Sequence, residues 1–152
     1  MIDIGQPVPH LVGTVTDGST LSLETLRGQW VVVYFYPKDA TPGCTMEAKD
    51  FRDLAPAFAK RHAVIIGVSR DSLKSHDKFT CKHALPFALV SDTDESWCKA
   101  FDVIRDKLLY GRTFLGIVRS TFLIDPDGKL VAEWRKVKVS GHAQAVLEAI
   151  PA

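Results

Sequence analysis

The chain has no Cys-x-x-Cys pair, no apolar run near the roughly 20 residues a membrane helix needs, and no basic N-terminal stretch leading into an apolar core. Each absence removes a class of function. Without Cys-x-x-Cys, a dithiol–disulfide oxidoreductase and a zinc site at the usual ligand spacing are both disfavoured. Without export or membrane signals, a soluble cytoplasmic protein is expected. The three cysteines, Cys44, Cys81 and Cys98, are an odd number, which argues against a secreted disulfide framework. A formal net charge of +1 gives no field for nucleic acid or an anionic membrane, so neither is expected as a partner. No repeat, linker or low-complexity tract divides the sequence. Its 152 residues, 46% hydrophobic and 24% charged, suit one domain spanning 1–152 with a core that needs no staples.

What is present alternates between strand-like and helix-like segments. Two prolines, Pro7 and Pro9, make the N-terminal segment extended. Leu11 to Val15 and Thr20 to Leu23 flank Thr16-Asp17-Gly18-Ser19, a turn joining two short strands. Leu23 to Leu26 reads as one helical turn closed by Gly28. Residues 31–36, Val-Val-Val-Tyr-Phe-Tyr, are apolar on both strand faces, as expected beneath helices on both sides of a sheet. From Thr45 to about Arg61 apolar residues recur at helical spacing, with Pro56 predicting a kink or a restart. Residues 64–69 form a second buried strand. Ser72 to His83 is a thin helix whose large apolar anchors are Leu73 and Phe79. Residues 85–90 lead into a third strand, and a short helix follows near Trp97 and Phe101. Tyr110 to Gly116 reads as a loop, Ile117 to Ile124 and Leu130 to Trp134 as a hairpin around Asp125-Pro126-Asp127-Gly128, and Ala143 to Ile150 as a helix with Ala145, Val146, Ala149 and Ile150 on its apolar side. The order gives one α/β domain with a mixed sheet.

Cys44 stands where the buried strand, the loop Pro37-Lys38-Asp39-Ala40-Thr41-Pro42-Gly43 and a helix meet. Unpaired backbone N–H groups and the positive helix end favour a thiolate there. Thr41 is placed to bring a hydroxyl back toward the sulfur, while Pro42 and Gly43 fix the loop and keep bulk away. Pro37 ends the strand. Arg119, a charge opening an apolar strand, is the best candidate for a nearby cation. Glu47 either favours the helix start or holds Arg119. His10, His62 and His142 read as surface residues. Cys98 reads as a buried small hydrophobe. Cys81, His83 and His76 lack a fourth ligand at usual spacing, so no metal is expected.

Pro37-x-x-x-Thr41-x-x-Cys44, with Thr45, Glu47 and a later Arg119 on a strand, resembles the active-site pattern of the peroxiredoxins. The words Tyr34-Phe35-Tyr36-Pro37-Lys38-Asp39 and Arg119-Ser120-Thr121-Phe122-Leu123-Ile124-Asp125 resemble the bacterioferritin comigratory protein (peroxiredoxin Q) subfamily, and the resemblance runs over essentially the whole chain. It implies a thioredoxin-like fold with a mixed central sheet flanked by helices on both faces. It also implies a thiol peroxidase without cofactor, acting on hydrogen peroxide and alkyl hydroperoxides, recycled by thioredoxin or a glutaredoxin-type reductant, and monomeric. By position, Cys44 is then the peroxidatic cysteine. Thr41 and Arg119 orient the peroxide, Pro37 and Pro42 shape and dry the pocket, and Glu47 orients Arg119.

The chain departs from the commoner subfamily pattern at Lys49, where many members carry the resolving cysteine. Cys81, Cys98 or an outside thiol remain. Some members resolve from the helix that here holds Cys81, and that helix has a weak apolar face. A Cys44–Cys81 disulfide formed by local unfolding is therefore expected. The alternatives are a one-cysteine peroxidase using an external thiol, and a peroxide sensor or relay that passes its oxidation to a partner.

Overall fold

The computed structural model describes residues 2–152. Strands β1 (Val12–Val15) and β2 (Thr20–Ser22) form the first hairpin, and Leu23–Leu26 is a 3-10 turn. Then come β3 (Trp30–Phe35), α1 (Pro42–Lys60), β4 (Ala63–Ser69), α2 (Leu73–His83), β5 (Ala88–Ser91) and α3 (Ser96–Ala100). The chain closes with β6 (Ile104–Leu109), β7 (Arg112–Ile117), β8 (Ser120–Ile124), β9 (Leu130–Arg135) and α4 (His142–Glu148). Seven strands make a mixed sheet in the order β2-β1-β5-β4-β3-β8-β9, and β6 and β7 form a separate two-stranded ribbon. β3 pairs parallel with β4 and antiparallel with β8, which puts its C-terminal end, and the loop that leads into α1 and Cys44, at the centre of the sheet edge.

The all-apolar run of β3 is explained by two cores. Val31, Val33 and Phe35 face one that takes in Trp97, Cys98, Phe101 and Phe122. Val32, Tyr34 and Tyr36 face the other, built with Phe51 and Phe58 of α1, Phe79 of α2 and Val146 of α4. Alternation along a strand sends neighbours to opposite faces, so only a sheet covered on both sides buries such a run.

Several sequence expectations shift. α1 begins at Pro42, not Thr45, because proline at the first helical position lacks only a donor that would be unpaired anyway. It continues through Pro56 without restarting. Tyr110 to Gly116 is not a loop: Tyr110 (φ 51°) and Gly111 (φ 77°) are the two left-handed corners of the β6–β7 hairpin. The stretch 117–124 is split, since Val118 and Arg119 lie between β7 and β8. α2 is held not by Leu73 but by the buried His76 and Phe79. α4 buries Ala143, Val146 and Leu147, while Ala145 and Ala149 are exposed. No helix among the described residues is long and apolar enough to cross a membrane.

Candidate active site

Thr41 is the N-cap of α1, with extended backbone, and Cys44 is the third residue of the helix. Among the first residues of a helix, backbone N–H groups lack intrahelical partners and face outward as a ready anion site. The Cys44 sulfur is buried there, 3.3 Å from Nη2 of Arg119. Arg119 Nη1 donates to Glu47 Oε1 at 2.7 Å. Glu47 lies one turn after Cys44 on the same helix face, so α1 supplies both the sulfur and the carboxylate that fixes its cation. Backbone holds Arg119 as well: the Val137 N–H donates to its carbonyl at 3.0 Å. Gly43 leaves room, since a Cβ there would stand 3.1 Å from Arg119 Nη2.

The electrostatics follow from burial and pairing. Burial pushes the Glu47 carboxyl up to about 7, against the pull of Arg119. Glu47 Oε2 and the Tyr34 hydroxyl are buried without hydrogen-bond partners. Burial also opposes the charge of Arg119, but Glu47 and Cys44 outweigh it and hold its pKa above the ordinary value. Lys107 of β6 adds a second cation. It is half-buried, its stem lies over Gly116 beside Phe114, and burial, then Arg119, lowers its pKa while Cys44 raises it.

Thr41 lies beside the sulfur in sequence, but its hydroxyl donates to the Lys38 carbonyl at 2.8 Å. The expected turn of that proton toward Cys44 is not seen; the turn takes it and leaves the oxygen lone pairs. Pro37 is half-buried after β3, while Pro42 is exposed, at the surface of the site rather than inside it.

Cys81 is exposed on α2. A helical wheel places it about 170° from the midpoint of His76 and Phe79, directly away from the core. Cys98 is fully buried in α3, where burial and then the Asp92 carboxylate push its thiol far above the ordinary range.

Sequence reasoning missed three polar groups beneath the site. Asp39, 5% exposed, accepts from the Tyr36 hydroxyl at 2.6 Å and from Ser75 Oγ at 2.8 Å, and its Oδ2 lies 2.7 Å from His76 Nδ1. Burial raises its pKa, but the hydrogen bonds from His76 and Tyr36 outweigh that and hold it below the usual carboxylate value. His76 is fully buried, with Nε2 3.0 Å from the Val90 carbonyl oxygen. The Asp39–Asp71–His76 group is close enough to hold a cation. The partners already present, including Ser69 Oγ and the Asp39 N–H on Asp71 Oδ2, account for it as a hydrogen-bonded cluster. His142, read as a surface residue, is buried between Phe51 and Trp134, with Nε2 2.7 Å from Thr121 Oγ1. Burial, then the charge of Arg119, lowers its pKa to about 4. The helical spacing of His76 and Phe79 was the one available signal for His76.

The profile of the AhpC/TSA family matches residues 4–133. The chain is 56% identical over 139 residues to Peroxiredoxin Bcp of Xanthomonas campestris, covering 91% of this chain and 87% of that one. It is 50% identical over 149 residues to Peroxiredoxin Bcp of Bacillus subtilis, covering 98% and 95%. Among solved structures, a cysteine-to-serine mutant of Xylella fastidiosa PrxQ superposes with a TM-score of 0.94 at 45% identity, covering 98% of this chain and 95% of that one. A Xanthomonas campestris bacterioferritin comigratory protein, described for its alkyl peroxide reduction activity, superposes with a TM-score of 0.90 at 52% identity, covering 97% and 96%.

Proposed function

The chain belongs to the AhpC/TSA family as a peroxiredoxin of the bacterioferritin comigratory protein (peroxiredoxin Q) group, a thiol peroxidase of thioredoxin-like fold, and on that footing we propose that Cys44 is its peroxidatic cysteine. The observation that carries this is the Cys44 sulfur at a helix N-terminus, 3.3 Å from a guanidinium that Glu47 anchors. The thiolate attacks one oxygen of ROOH. The S–O bond forms as the O–O bond breaks, leaving Cys44 as a sulfenic acid and releasing RO⁻, which takes a proton and departs as water or alcohol. Arg119 stabilises the charge that moves from sulfur to the leaving oxygen. The Thr41 hydroxyl, which donates its own hydrogen bond to the Lys38 carbonyl, accepts from the peroxide O–H. Pro37 and Pro42 rigidify the loop. Phe114, 45% exposed beside Lys107, offers apolar surface for an alkyl group, which supports organic hydroperoxides alongside hydrogen peroxide.

Cys81 then condenses with the sulfenic acid, forming a Cys44–Cys81 disulfide and water. A cytoplasmic thioredoxin or similar dithiol reduces that bond, and the enzyme works as a monomer. The outward direction of Cys81 requires α2 to unwind first, because a disulfide needs Cα atoms within roughly 4.4–6.8 Å. The burial of Cys98 supports Cys81 as the internal partner.

Rapid mixing with peroxide followed by intact mass and disulfide mapping tests the whole scheme. Cys44→Ser should fold and lose peroxide consumption by at least about a thousandfold, as removal of an essential nucleophile does. Cys81→Ser should react once, accumulate sulfenic acid and fail to turn over with thioredoxin. Full activity in the first variant overturns the assignment of Cys44. Normal cycling in the second transfers resolution to an external thiol.

A further inference from the structure

The two segments that must move apart and rejoin are tied together by one buried carboxylate. Asp39 sits in the active-site loop, five residues before Cys44; His76 sits on α2, five residues before Cys81. Asp39 Oδ2 takes hydrogen bonds from Ser75 and His76 at 2.8 and 2.7 Å, both from α2. Its Oδ1 takes one from Tyr36, just after β3, and its backbone N–H donates to Asp71 Oδ2 at 2.9 Å, just before α2 begins. His76 spans the gap to the sheet, its Nε2 donating to the Val90 carbonyl. The ring thus bridges the Asp39 carboxylate of the active-site loop and the Val90 carbonyl of β5.

Little else holds α2 down. Phe79 is its one buried apolar side chain, and Arg52 of α1 donates to the His83 carbonyl at 2.9 Å at its far end. Both segments also carry backbone strain. Ala40, next to Asp39, has φ 64°, and Ala84, the C-cap of α2, has φ 50°. Alanine in the left-handed region persists only where its surroundings impose it.

We propose that the Asp39–His76 pair is a latch that keeps α2 wound against the active-site loop and sets how often Cys81 is released to reach oxidised Cys44. It rests on Cys81 being the resolving cysteine. His76 is thus a positioning residue for the disulfide step and takes no part in the attack on peroxide. While the latch is closed, the sulfenic acid waits and is exposed to a second peroxide, which would convert it to sulfinic acid with release of ROH. When it opens, the Cys81 thiol attacks the sulfenic sulfur, the S–S bond forms and water leaves. The latch divides flux between these two fates.

His76→Phe tests this, since it keeps an aromatic ring in that place and deletes both ring nitrogens. Removing a hydrogen bond to a charged group shifts a local opening equilibrium roughly ten- to a hundredfold. Rapid-mixing mass spectrometry should therefore show disulfide formation accelerated by about tenfold or more. The rate of sulfenic acid formation should change less than about twofold, and sulfinic acid at excess peroxide should fall. Hydrogen exchange in reduced protein should rise in residues 73–83. Ser75→Ala, which removes one bond and leaves the ring in place, should act in the same direction with smaller size, and it stands as the test if His76→Phe does not fold. A variant that folds, exchanges like the wild type and forms its disulfide at the wild-type rate overturns the latch alone. A wild-type protein that forms no Cys44–Cys81 bond overturns the resolving role of Cys81 instead.

Discussion

Arg119 reaches the sulfur across a gap that only glycine leaves open. Gly43 is the second residue of α1, so its backbone is helical and an alanine would bring no conformational strain; alanine is in fact the better helix former. What it would bring is a methyl group 3.1 Å from Nη2, on the side chain that holds the sulfur at 3.3 Å. The guanidinium end is flexible and would give way by a few tenths of an ångström, so the cost should fall on chemistry rather than folding. Gly43→Ala is expected to keep or raise the melting temperature and to slow sulfenic acid formation by about three- to tenfold, corresponding to roughly 1 kcal/mol of lost transition-state stabilisation. An unchanged rate in stopped-flow would show that Arg119 does not act from this position. At this scale the sequence was most informative about residues that chemistry requires: Cys44, Arg119 and Glu47 come together as their types and positions suggested. The histidines were opaque, because His76 and His142 are buried through partners on other segments. No local pattern shows that Asp39 or Thr121 will stand beside them.

Elements were legible where hydrophobic periodicity was strong. β3 and β4 were recognisable because each is apolar on both faces, whereas β6 and β7 were not, because the ribbon lies off the sheet and much of it is exposed, Leu108, Phe114 and Leu115 included. α2 lies between these cases: polar nearly all round, with two buried side chains and a strained end. Ala84 is exposed and donates its N–H to the Thr80 carbonyl with φ 50° and ψ 51°, a conformation glycine adopts without steric cost. Ala84→Gly should therefore remove a clash of about 1 kcal/mol or slightly more. Part of that is offset by the greater freedom of glycine in the unfolded chain, leaving a net gain of about 0.5 kcal/mol. Urea denaturation should show a higher midpoint with an unchanged slope, and amides near the C-terminal end of α2 should exchange more slowly. A lower midpoint would mean that the left-handed cap carries no strain.

For the molecule as a whole, strand order could not be read from the chain, because it is set by long-range pairing: β3 lies between its sequence neighbour β4 and the distant β8, and β5 bridges β4 to β1. The same long-range packing buries two titratable groups on the side of the sheet covered by α1 and α4, with opposite consequences for acid stability. His142 has its pKa lowered to about 4 from 6.5 by burial and then Arg119, so the folded protein resists its protonation. The stability it contributes is complete above pH 6.5 and is lost as pH falls toward 4, by up to about 3 kcal/mol. Glu47 is shifted the other way, to about 7 from 4.5, chiefly by burial. Its carboxylate form opposes folding above pH 7, and stability returns as pH falls from 7 to 4.5, by an amount of similar order. The two slopes run against each other across nearly the same window, so wild-type stability should be almost flat between pH 7 and 5. His142→Gln keeps a partner for Thr121 Oγ1 and removes one of the two titrations. The variant should then become more stable, by about 1–3 kcal/mol, on going from pH 7.5 to 5, because the Glu47 contribution stands alone. Urea midpoints at pH 7.5, 6 and 5 for both proteins decide it. Parallel pH dependence in wild type and variant would mean that His142 titrates in the folded protein as it does in the unfolded chain.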